Sequence, residues 1–187
     1  HLFFGAPGAD DRVVRCPHEI KIRSTMKWIV IILIPLLVLL ILYLTGRKSV
    51  HTELIIPADP EKIWSVLMDI PGYKKWNPVF IPIEGSFVEG ARLKYEMIQP
   101  DGKRSELNAK VIKVIEQKLL NQFGGIPGIL TFNHKYILDP VDAGTRVTIH
   151  EDYRGIGVIF WNAGWVEPAY ERINIELKKQ VTLLEIP

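Results

Sequence analysis

The chain has almost no cysteine and little excess charge. Its single thiol, Cys16, precedes a long apolar run, so the residues after that run can form no internal disulfide and can use no thiolate nucleophile. Lysine and arginine number 23 against 21 acidic residues, which leaves a formal net charge of +2. Because the two signs are interleaved, no strong field of one sign is expected, and a nucleic acid partner is not indicated.

Motifs of common catalytic and metal sites are also missing. His51, His134 and His150 lack the spacing of zinc-binding pairs, and acidic residues do not cluster near them, so we predict no metal site and no cofactor. The glycines between residues 124 and 128 do not precede a helix that begins with Lys-Ser or Lys-Thr, which indicates a turn rather than a phosphate-binding loop. There is no Gly-x-Ser-x-Gly nucleophile elbow.

One long apolar run is present, at residues 28–44 (WIVIILIPLLVLLILYL). At a rise of ~1.5 Å per residue, roughly 17 residues cover about 26 Å, the short end of what a ~30 Å hydrocarbon core requires. Met26 and Thr45 can extend the run, and Pro35 is a tolerable kink in lipid. The run predicts a single transmembrane helix.

Two other interpretations of the run are a buried core helix and a cleaved signal peptide. A core helix is rarely apolar on every face. A signal peptide should end at a small-residue cleavage site, whereas here the charges of Arg47 and Lys48 follow closely. We therefore expect an uncleaved, single-pass anchor at residues 26–48, with Trp28 and Tyr43 at the two membrane interfaces.

Residues 1–25 contain scattered glycine, proline and charge without an apolar period, so we expect a disordered leader. Met26 has the form of a natural start, which raises the hypothesis that the leader is upstream translation. Basic residues lie on both sides of the apolar run, so the side of the membrane that holds the following domain stays open.

Residues 49–187 are long enough for one domain with its own core. Alternating β-branched residues predict a strand at 50–56. Asp59 is a good N-cap and the proline after it suits the first helical position, which predicts a helix over 60–68. Residues 69–78 then form a short turn or helix.

The middle of the chain predicts a meander of antiparallel strands separated by turn signals. These strands are expected at residues 80–88, 92–98, 105–116, 118–123, 130–138 and 145–154. Leu93, Tyr95 and Met97 share one face of their strand while charged residues occupy the other, which is typical of a sheet that is dry on one side.

The last element is predicted to be a long amphipathic helix. Apolar residues that step by three or four form its inner face: Ile159, Ala163, Val166, Tyr170, Ile173, Leu177, Val181 and Leu184. Polar residues occupy the opposite face: Glu167, Glu171, Asn174 and Lys178. Pro168 should kink the helix or start a second segment. The fold class is therefore α+β, with this helix across the dry face of the sheet.

Three ordered motifs carry a resemblance to a known family. They are residues 56–64 (IPADPEKIW), residues 73–78 (YKKWNP), and residues 144–148 (GTRVT) followed by Glu151 and Arg154. With the order of elements, they resemble the helix-grip domain of the SRPBCC superfamily, which includes polyketide cyclases, lipid-transfer proteins and START/Bet v 1-like proteins.

The resemblance covers about residues 49–181. It implies a curved six- to seven-stranded antiparallel sheet around a long C-terminal helix, with an apolar cavity for a lipid, polyketide or other hydrophobic molecule. It supplies no shared catalytic set, and the membrane anchor departs from the soluble members of the superfamily.

The alternation of residues along two strands places polar groups on the dry face. One inward set is Leu130, Phe132, His134, Tyr136 and Leu138. The other is Thr145, Val147, Ile149, Glu151 and Tyr153. If the two strands pair as a hairpin, His134, Glu151 and Tyr153 lie in one cavity. A buried carboxylate is costly unless it is paired, which makes this cluster a candidate site.

Three roles stay open for the cluster. It can orient the polar head of a mostly apolar ligand, serve structure alone, or act in catalysis with His134 and Glu151 as an acid/base pair and Tyr153 as donor. The predicted cavity lining is Tyr95, Phe132, His134, Tyr136, Glu151, Tyr153, Trp165, Tyr170 and Ile173.

The predicted function is membrane-anchored binding or transfer of a hydrophobic, lipid-like small molecule, with that molecule and the membrane as partners. The alternatives are an enzyme of cyclase or hydrolase type and an interaction module whose cavity is filled by side chains.

Overall fold

The computed structural model describes the backbone of residues 17–184 and the side chains of residues 26–184. The chain divides into two compact units, which meet between Leu40 and Ile41. Residues 1–16, and with them most of the predicted leader and Cys16, lie outside the described residues.

Helix α1 spans Pro17–Thr45 and therefore begins before the predicted start at residue 26. Its segment Met26–Thr45, 20 residues long, is apolar and long enough to cross a membrane, and none of it is buried by the rest of the chain. Pro35 lies inside the helix. The predicted apolar helix is present.

Seven antiparallel strands form one sheet in the order β1-β7-β6-β5-β4-β3-β2. They are β1 Arg47–Ile56, β2 Phe80–Gly85, β3 Arg92–Ile98, β4 Arg104–Ile115, β5 Leu119–Ile126, β6 Leu130–Val141 and β7 Gly144–Arg154. Neighbours in sequence pair through short turns, except that β1 pairs with the last strand. The predicted α+β fold with a six- to seven-stranded meander is confirmed.

Some strand boundaries differ from the predicted ones. Strand β2 ends at Gly85, whose φ of +100° leaves the extended region, and Phe87 instead buries its ring from the following turn. Strand β5 continues through two glycines that were assigned to a turn, and β6 continues through Pro140 to a tight turn at residues 142–143. Strand β1 begins at Arg47, so two residues of the predicted anchor lie in the sheet.

Helices lie on one face of the sheet. Between β1 and β2 the chain forms α2 (Pro60–Met68), a 3₁₀ turn (Ile70–Gly72) and α3 (Tyr73–Trp76). After β7 come the short α4 (Gly157–Phe160) and the long α5 (Val166–Leu183). Helix α5 buries Val166, Tyr170, Ile173, Leu177 and Val181, each of which stabilises the fold by about 1.5–3 kcal/mol relative to exposure.

The last helix differs from its prediction in three side chains. Ile159 and Leu184, expected on the inner face, are exposed, because α4 is a separate short helix and α5 ends at Leu183. Asn174, expected in solvent, is buried, and its Nδ2 donates to Thr52 Oγ1 of β1 at 3.2 Å. Pro168 lies in the first turn of α5, where a missing N–H costs little, so the predicted second segment is confirmed.

The alternating strand directions define two ends of the sheet. The proximal end contains Arg47, Ile98, Arg104, Ile126, Leu130 and Arg154, and the distal end contains Ile56, Gly85, Arg92, Ile115, Leu119 and Val141. The chain enters the sheet at the proximal end, where the Gly155 N–H donates to the Gly46 carbonyl at 2.9 Å. Gly46 is thus the single residue between α1 and β1.

Candidate ligand-binding site

Register brings the predicted polar residues together on the inner face of the sheet. His134 of β6 is directly opposite Glu151 of β7, and Phe132 is opposite Tyr153. Gln122 of β5 lies on the other side of His134, so Gln122, His134 and Glu151 form one row across three strands. His134 and Glu151 are 7% and 4% exposed, so both sit in the interior.

The hydroxyl groups of two tyrosines connect the Glu151 carboxylate to helix α5. The Tyr153 hydroxyl donates a hydrogen bond to Glu151 Oε2. Since Tyr153 has only this proton, the Tyr170 hydroxyl, 3.2 Å away, donates to Tyr153 in turn. His134 Nδ1 lies 3.7 Å from the same carboxylate oxygen. The buried carboxylate therefore has partners on two sides.

The buried tyrosines of the site remain protonated donors. Burial, together with the negative charge of Glu151, raises the pKa of Tyr153. Burial also raises the pKa of Tyr136 and of Tyr95, whose hydroxyl donates to Gln122 Oε1 at 2.6 Å. None of these three tyrosines is poised to act as a base near neutral pH.

A small inner chamber lies between the sheet and the helices. Its volume is about 30 Å³, room for about two water molecules. The predicted residues on its wall are Tyr95, Phe132, His134, Tyr136 and Glu151. Aromatic rings pack beside the chamber. The centroid of the His134 ring is 4.9 Å from that of Tyr136 and 5.4 Å from that of Tyr170.

A larger outer cleft of about 230 Å³ adjoins the chamber toward the proximal end. Phe80, Leu107, Phe132 and Glu151 line both spaces, so they form the wall between them. The other residues of the cleft are Met97, Gln99, Leu130, Tyr153, Trp161, Trp165 and Val166. Glu151 is the only acidic side chain among the residues that line the cleft.

Two predicted residues contribute from behind the lining. Tyr170 is 1% exposed and reaches the site through its hydroxyl contact with Tyr153. Ile173 is fully buried in the core beneath α5 and does not line the chamber or the cleft. Trp161, which also lines the cleft, packs on Tyr153 with ring centroids 4.7 Å apart.

A glycine makes room for the wall residue Phe132. Gly124 lies opposite Phe132 on the neighbouring strand, and a Cβ at this glycine would collide with the Phe132 ring and with the Asn108 carbonyl. The Phe132 ring therefore occupies the space that a side chain at position 124 would need. A larger residue there would force the ring or the neighbouring backbone to shift.

The family comparison agrees with this geometry. The family model described as polyketide cyclase / dehydrase and lipid transport matches residues 47–182, which is most of the chain and the whole sheet with α5. The chain belongs to this family. The resemblance to the SRPBCC superfamily is thereby confirmed.

Solved structures show the same fold as this polyketide cyclase/lipid transport domain. Protein CV1439 from Chromobacterium violaceum has a TM-score of 0.61 at 14% identity, covering 72% of this chain and 97% of its own. Protein Ms6760 from Mycobacterium smegmatis has 0.60 at 18%, covering 76% and 94%. Ara h 8.0201 has 0.56 at 20%, covering 73% and 98%. No curated protein sequence matches the chain.

The coverage of these structures also separates the domain from α1. Each neighbour is matched over at least 94% of its length, while this chain is matched over no more than 76% of its own. The family fold is therefore complete without a segment equivalent to α1.

Five residues on the chamber wall of this family domain were not predicted from the sequence: Tyr73, Asn77, Phe80, Leu107 and Gln122. Gln122 alternates with the buried Leu120 on β5, so the period of two indicates its inward direction. Asn77 accepts from the Val79 and Phe80 N–H groups at 3.0 and 2.8 Å. Its buried Nδ2 has no partner of good hydrogen-bond geometry among the described residues, but the Asn77 side chain interacts with the Tyr136 hydroxyl, whose pKa it lowers against the effect of burial.

The family domain carries no cluster for a metal among its described residues. Within residues 26–184, no three His, Cys, Asp or Glu side chains come together as a possible metal site. The chemistry available at the site is that of one carboxylate, one imidazole, the side-chain amides of Asn77 and Gln122, and protonated tyrosines.

Proposed function

We propose that this protein is a membrane-anchored binding protein for a hydrophobic, lipid-like small molecule with an uncharged polar group. The observation that carries the proposal is the outer cleft, an apolar space whose inner wall holds the buried Glu151 carboxylate. A space of this kind orients a mostly apolar ligand by a few polar contacts. Membership of a family described by polyketide chemistry and lipid transport supports the same class of ligand.

The two volumes favour the cleft as the place where such a ligand lies. The chamber of about 30 Å³ is too small for a hydrocarbon chain, whereas the cleft of about 230 Å³ is lined by Met97, Leu107, Trp161 and Trp165. The apolar part of the ligand therefore occupies the cleft. Only its polar group reaches the chamber wall.

The charges at the wall select the polar group. Glu151 already accepts from Tyr153, and a second buried anion next to it carries a large desolvation cost. The Asn77 side-chain amide, which lines the chamber with Tyr136, can donate to a hydroxyl or carbonyl oxygen of the ligand. An alcohol, ester or ketone head group fits this arrangement better than the carboxylate of a fatty acid.

The anchor is the second part of the proposal. The apolar segment Met26–Thr45 holds the protein in the bilayer, and the family domain, whose sheet begins at Arg47, binds the ligand. Since Gly46 alone separates α1 from β1, the cleft stays within a few tens of Å of the membrane. The anchor thereby keeps the binding domain beside a source of apolar ligands.

Extraction of the purified domain tests the proposal. Residues 46–187, produced without α1, are extracted with organic solvent and the extract is identified by mass spectrometry. We expect a stoichiometric, uncharged lipid-like molecule. Leu107→Trp places a larger ring between chamber and cleft, and this variant should no longer retain the ligand. Ile112→Trp, on the exposed face of the same strand, should still retain the ligand. Absence of any ligand, with no binding of added neutral lipid, contradicts the proposal and favours the filled interaction module.

A catalytic role of the same site is the second candidate. The distance of 3.7 Å between His134 Nδ1 and Glu151 Oε2 supports it, because an imidazole and a carboxylate so close can pass a proton to a bound carbonyl compound. His134→Gln and Glu151→Gln separate the two functions. Retained binding with lost turnover in the variants favours the enzyme, whereas ligand binding with no detectable turnover in the native protein favours the binding protein.

A further inference from the structure

Exposed apolar side chains gather at the proximal end of the sheet. Ile126 and Ile129 flank the turn between β5 and β6, and they are 62% and 57% exposed. Ile159 and Phe160 of α4 are also exposed, Phe160 to 76%. We refer to these four residues as the apolar rim.

Backbone hydrogen bonds hold the two segments of the apolar rim together. The Gly157 N–H donates to the Ile129 carbonyl at 2.7 Å, and the Ile156 N–H donates to the Gly128 carbonyl at 3.1 Å. Val158, between the exposed residues of this segment, is buried and fixes α4 to the domain. The rim is therefore one defined surface and not the tips of two independent loops.

Unpaired basic residues border the rim. Arg47 lies directly opposite Arg154 in the sheet, and Lys48 is opposite Tyr153 of the cleft. All three basic side chains are exposed, and none forms an ion pair within residues 26–184. The acidic Asp152 nearby is within 3.3 Å of His150 and 3.7 Å of Lys135. Like charges opposite each other are unfavourable unless an anion compensates them.

We propose that the apolar rim and its basic border form a membrane-docking surface for a bilayer that contains anionic lipid. Apolar side chains enter the boundary of head groups and acyl chains, and the basic groups meet the lipid phosphates. The inference rests on the anchor of the proposed function, because the apolar segment Met26–Thr45 joins the domain at this same end.

Docking at this end has a consequence for the cleft. Leu130 and Trp161 of the cleft follow directly on Ile129 and Phe160 of the rim. A ligand that leaves the acyl region of a docked bilayer thus reaches the cleft without crossing water. The rim therefore supplies the route by which an apolar molecule enters.

Depth-dependent quenching in nanodiscs tests the docking surface with the full chain. Single cysteines in a Cys16→Ser background carry an environment-sensitive fluorophore at Pro127→Cys in the rim, Asp142→Cys at the distal end, or Val38→Cys in α1. The discs contain phosphatidylcholine, phosphatidylserine and nitroxide-labelled lipid. We expect quenching at positions 38 and 127 and none at 142.

Variants of the rim give the matched comparison. Ile126→Ser with Phe160→Ser should reduce the quenching at position 127 to the level at position 142, a change of about tenfold in the docking equilibrium or more. Val88→Ser removes an equally exposed side chain, 63%, from the distal end and should change nothing.

The outcomes distinguish the surface from the anchor. Quenching at position 38 without quenching at 127 overturns the docking surface and leaves the anchor intact. Absence of quenching at position 38 contradicts the anchor. In that case, quenching at position 127 still supports the docking surface, and its absence overturns the docking surface as well. Equal loss in the rim variant and in Val88→Ser also counts against the docking surface.

Discussion

At the scale of single residues, the proposed function assigns to Glu151 the selection of the ligand's polar group. The side chain is buried, with 4% exposed. Its Oε2 atom accepts a hydrogen bond from Tyr153 and lies 3.7 Å from His134 Nδ1. A carboxylate in this position repels a second anion and tolerates an alcohol or carbonyl group.

We therefore expect Glu151→Gln to change selectivity more than affinity. Affinity of the domain for a long-chain alcohol should remain within a few-fold, while affinity for the corresponding fatty acid should rise about tenfold or more, equivalent to about 1.4 kcal/mol. Glu53→Gln, the same change of charge on an exposed side chain, should alter neither. Titration of both ligands by isothermal calorimetry measures the ratio, and an unchanged ratio contradicts the assigned role of Glu151.

The buried tyrosines make the free energy of unfolding depend on pH in the alkaline range. The pKa values of Tyr73, Tyr95, Tyr136 and Tyr153 are raised by burial above the ordinary value of 10.0. In the unfolded chain these groups lose their protons near pH 10, whereas in the folded chain they keep them. The contribution is therefore complete below pH 10 and is lost as the pH rises beyond it, by about 1.4 kcal/mol per pH unit for each tyrosine.

Urea denaturation of the domain at pH 8, 10 and 11 checks this dependence. The free energy of unfolding should fall steeply above pH 10. Tyr95→Phe loses its bond to Gln122 and should be less stable at pH 8, but its decline above pH 10 should be shallower by the share of one tyrosine. Equal slopes in the two proteins would show that Tyr95 titrates normally.

At the scale of elements, a buried polar contact joins α5 to the edge strand β1. Asn174 Nδ2 donates to Thr52 Oγ1, both residues are buried, and Asn174 Oδ1 has no hydrogen-bond partner among the described residues. A buried hydroxyl that loses its partner costs about 1–3 kcal/mol.

Asn174→Ala should therefore lower the free energy of unfolding by about 1–3 kcal/mol. Ile175→Ala, the next residue on the exposed face of α5, should stay within about 0.5 kcal/mol of the native protein. A double-mutant cycle with Thr52→Val measures the coupling by urea denaturation. Strict additivity of the two single changes would contradict a hydrogen bond between them.

Sequence periodicity predicts the helices and strands well. It predicts less well which individual side chains are buried where two elements pack together. The spacing of Val166, Tyr170, Ile173, Leu177 and Val181 identifies the buried face of α5 because burial repeats with the helical period. The same rule places Asn174 in solvent, and it fails because the partner, Thr52, is distant in the chain. Ile159 fails for another reason, since a separate helix interrupts the period.

In the candidate site, too, strand alternation predicts some of the residues and the others are placed only by packing. Alternation along β6 and β7 predicts that His134, Glu151 and Tyr153 share a face, and the register places them side by side. Asn77 lies in a loop, where no period applies, and the position of its amide on the chamber wall is visible only from the packing around it. The volume of the cleft likewise depends on how large rings such as Phe80 and Trp165 pack, which the sequence does not encode locally.

At the scale of the whole molecule, a single residue connects the apolar helix to the family domain. The chain passes from Thr45 through Gly46 into β1 at the proximal end, where the cleft and the apolar rim also lie. A freely diffusing carrier has no need of this arrangement. A tethered binding protein gains a high local concentration of its ligand from it.

Photo-crosslinking of a lipid to the full chain in nanodiscs tests the central claim most directly. The discs contain a long-chain alcohol with a diazirine in its hydrocarbon chain, and tandem mass spectrometry identifies the modified residues after illumination. We predict adducts on the cleft residues Met97, Leu107, Phe132 and Trp165 in addition to α1, and Leu107→Trp should suppress the cleft adducts while leaving those on α1. Adducts confined to residues 26–45 and the apolar rim, with none in the cleft, would contradict a lipid-binding function.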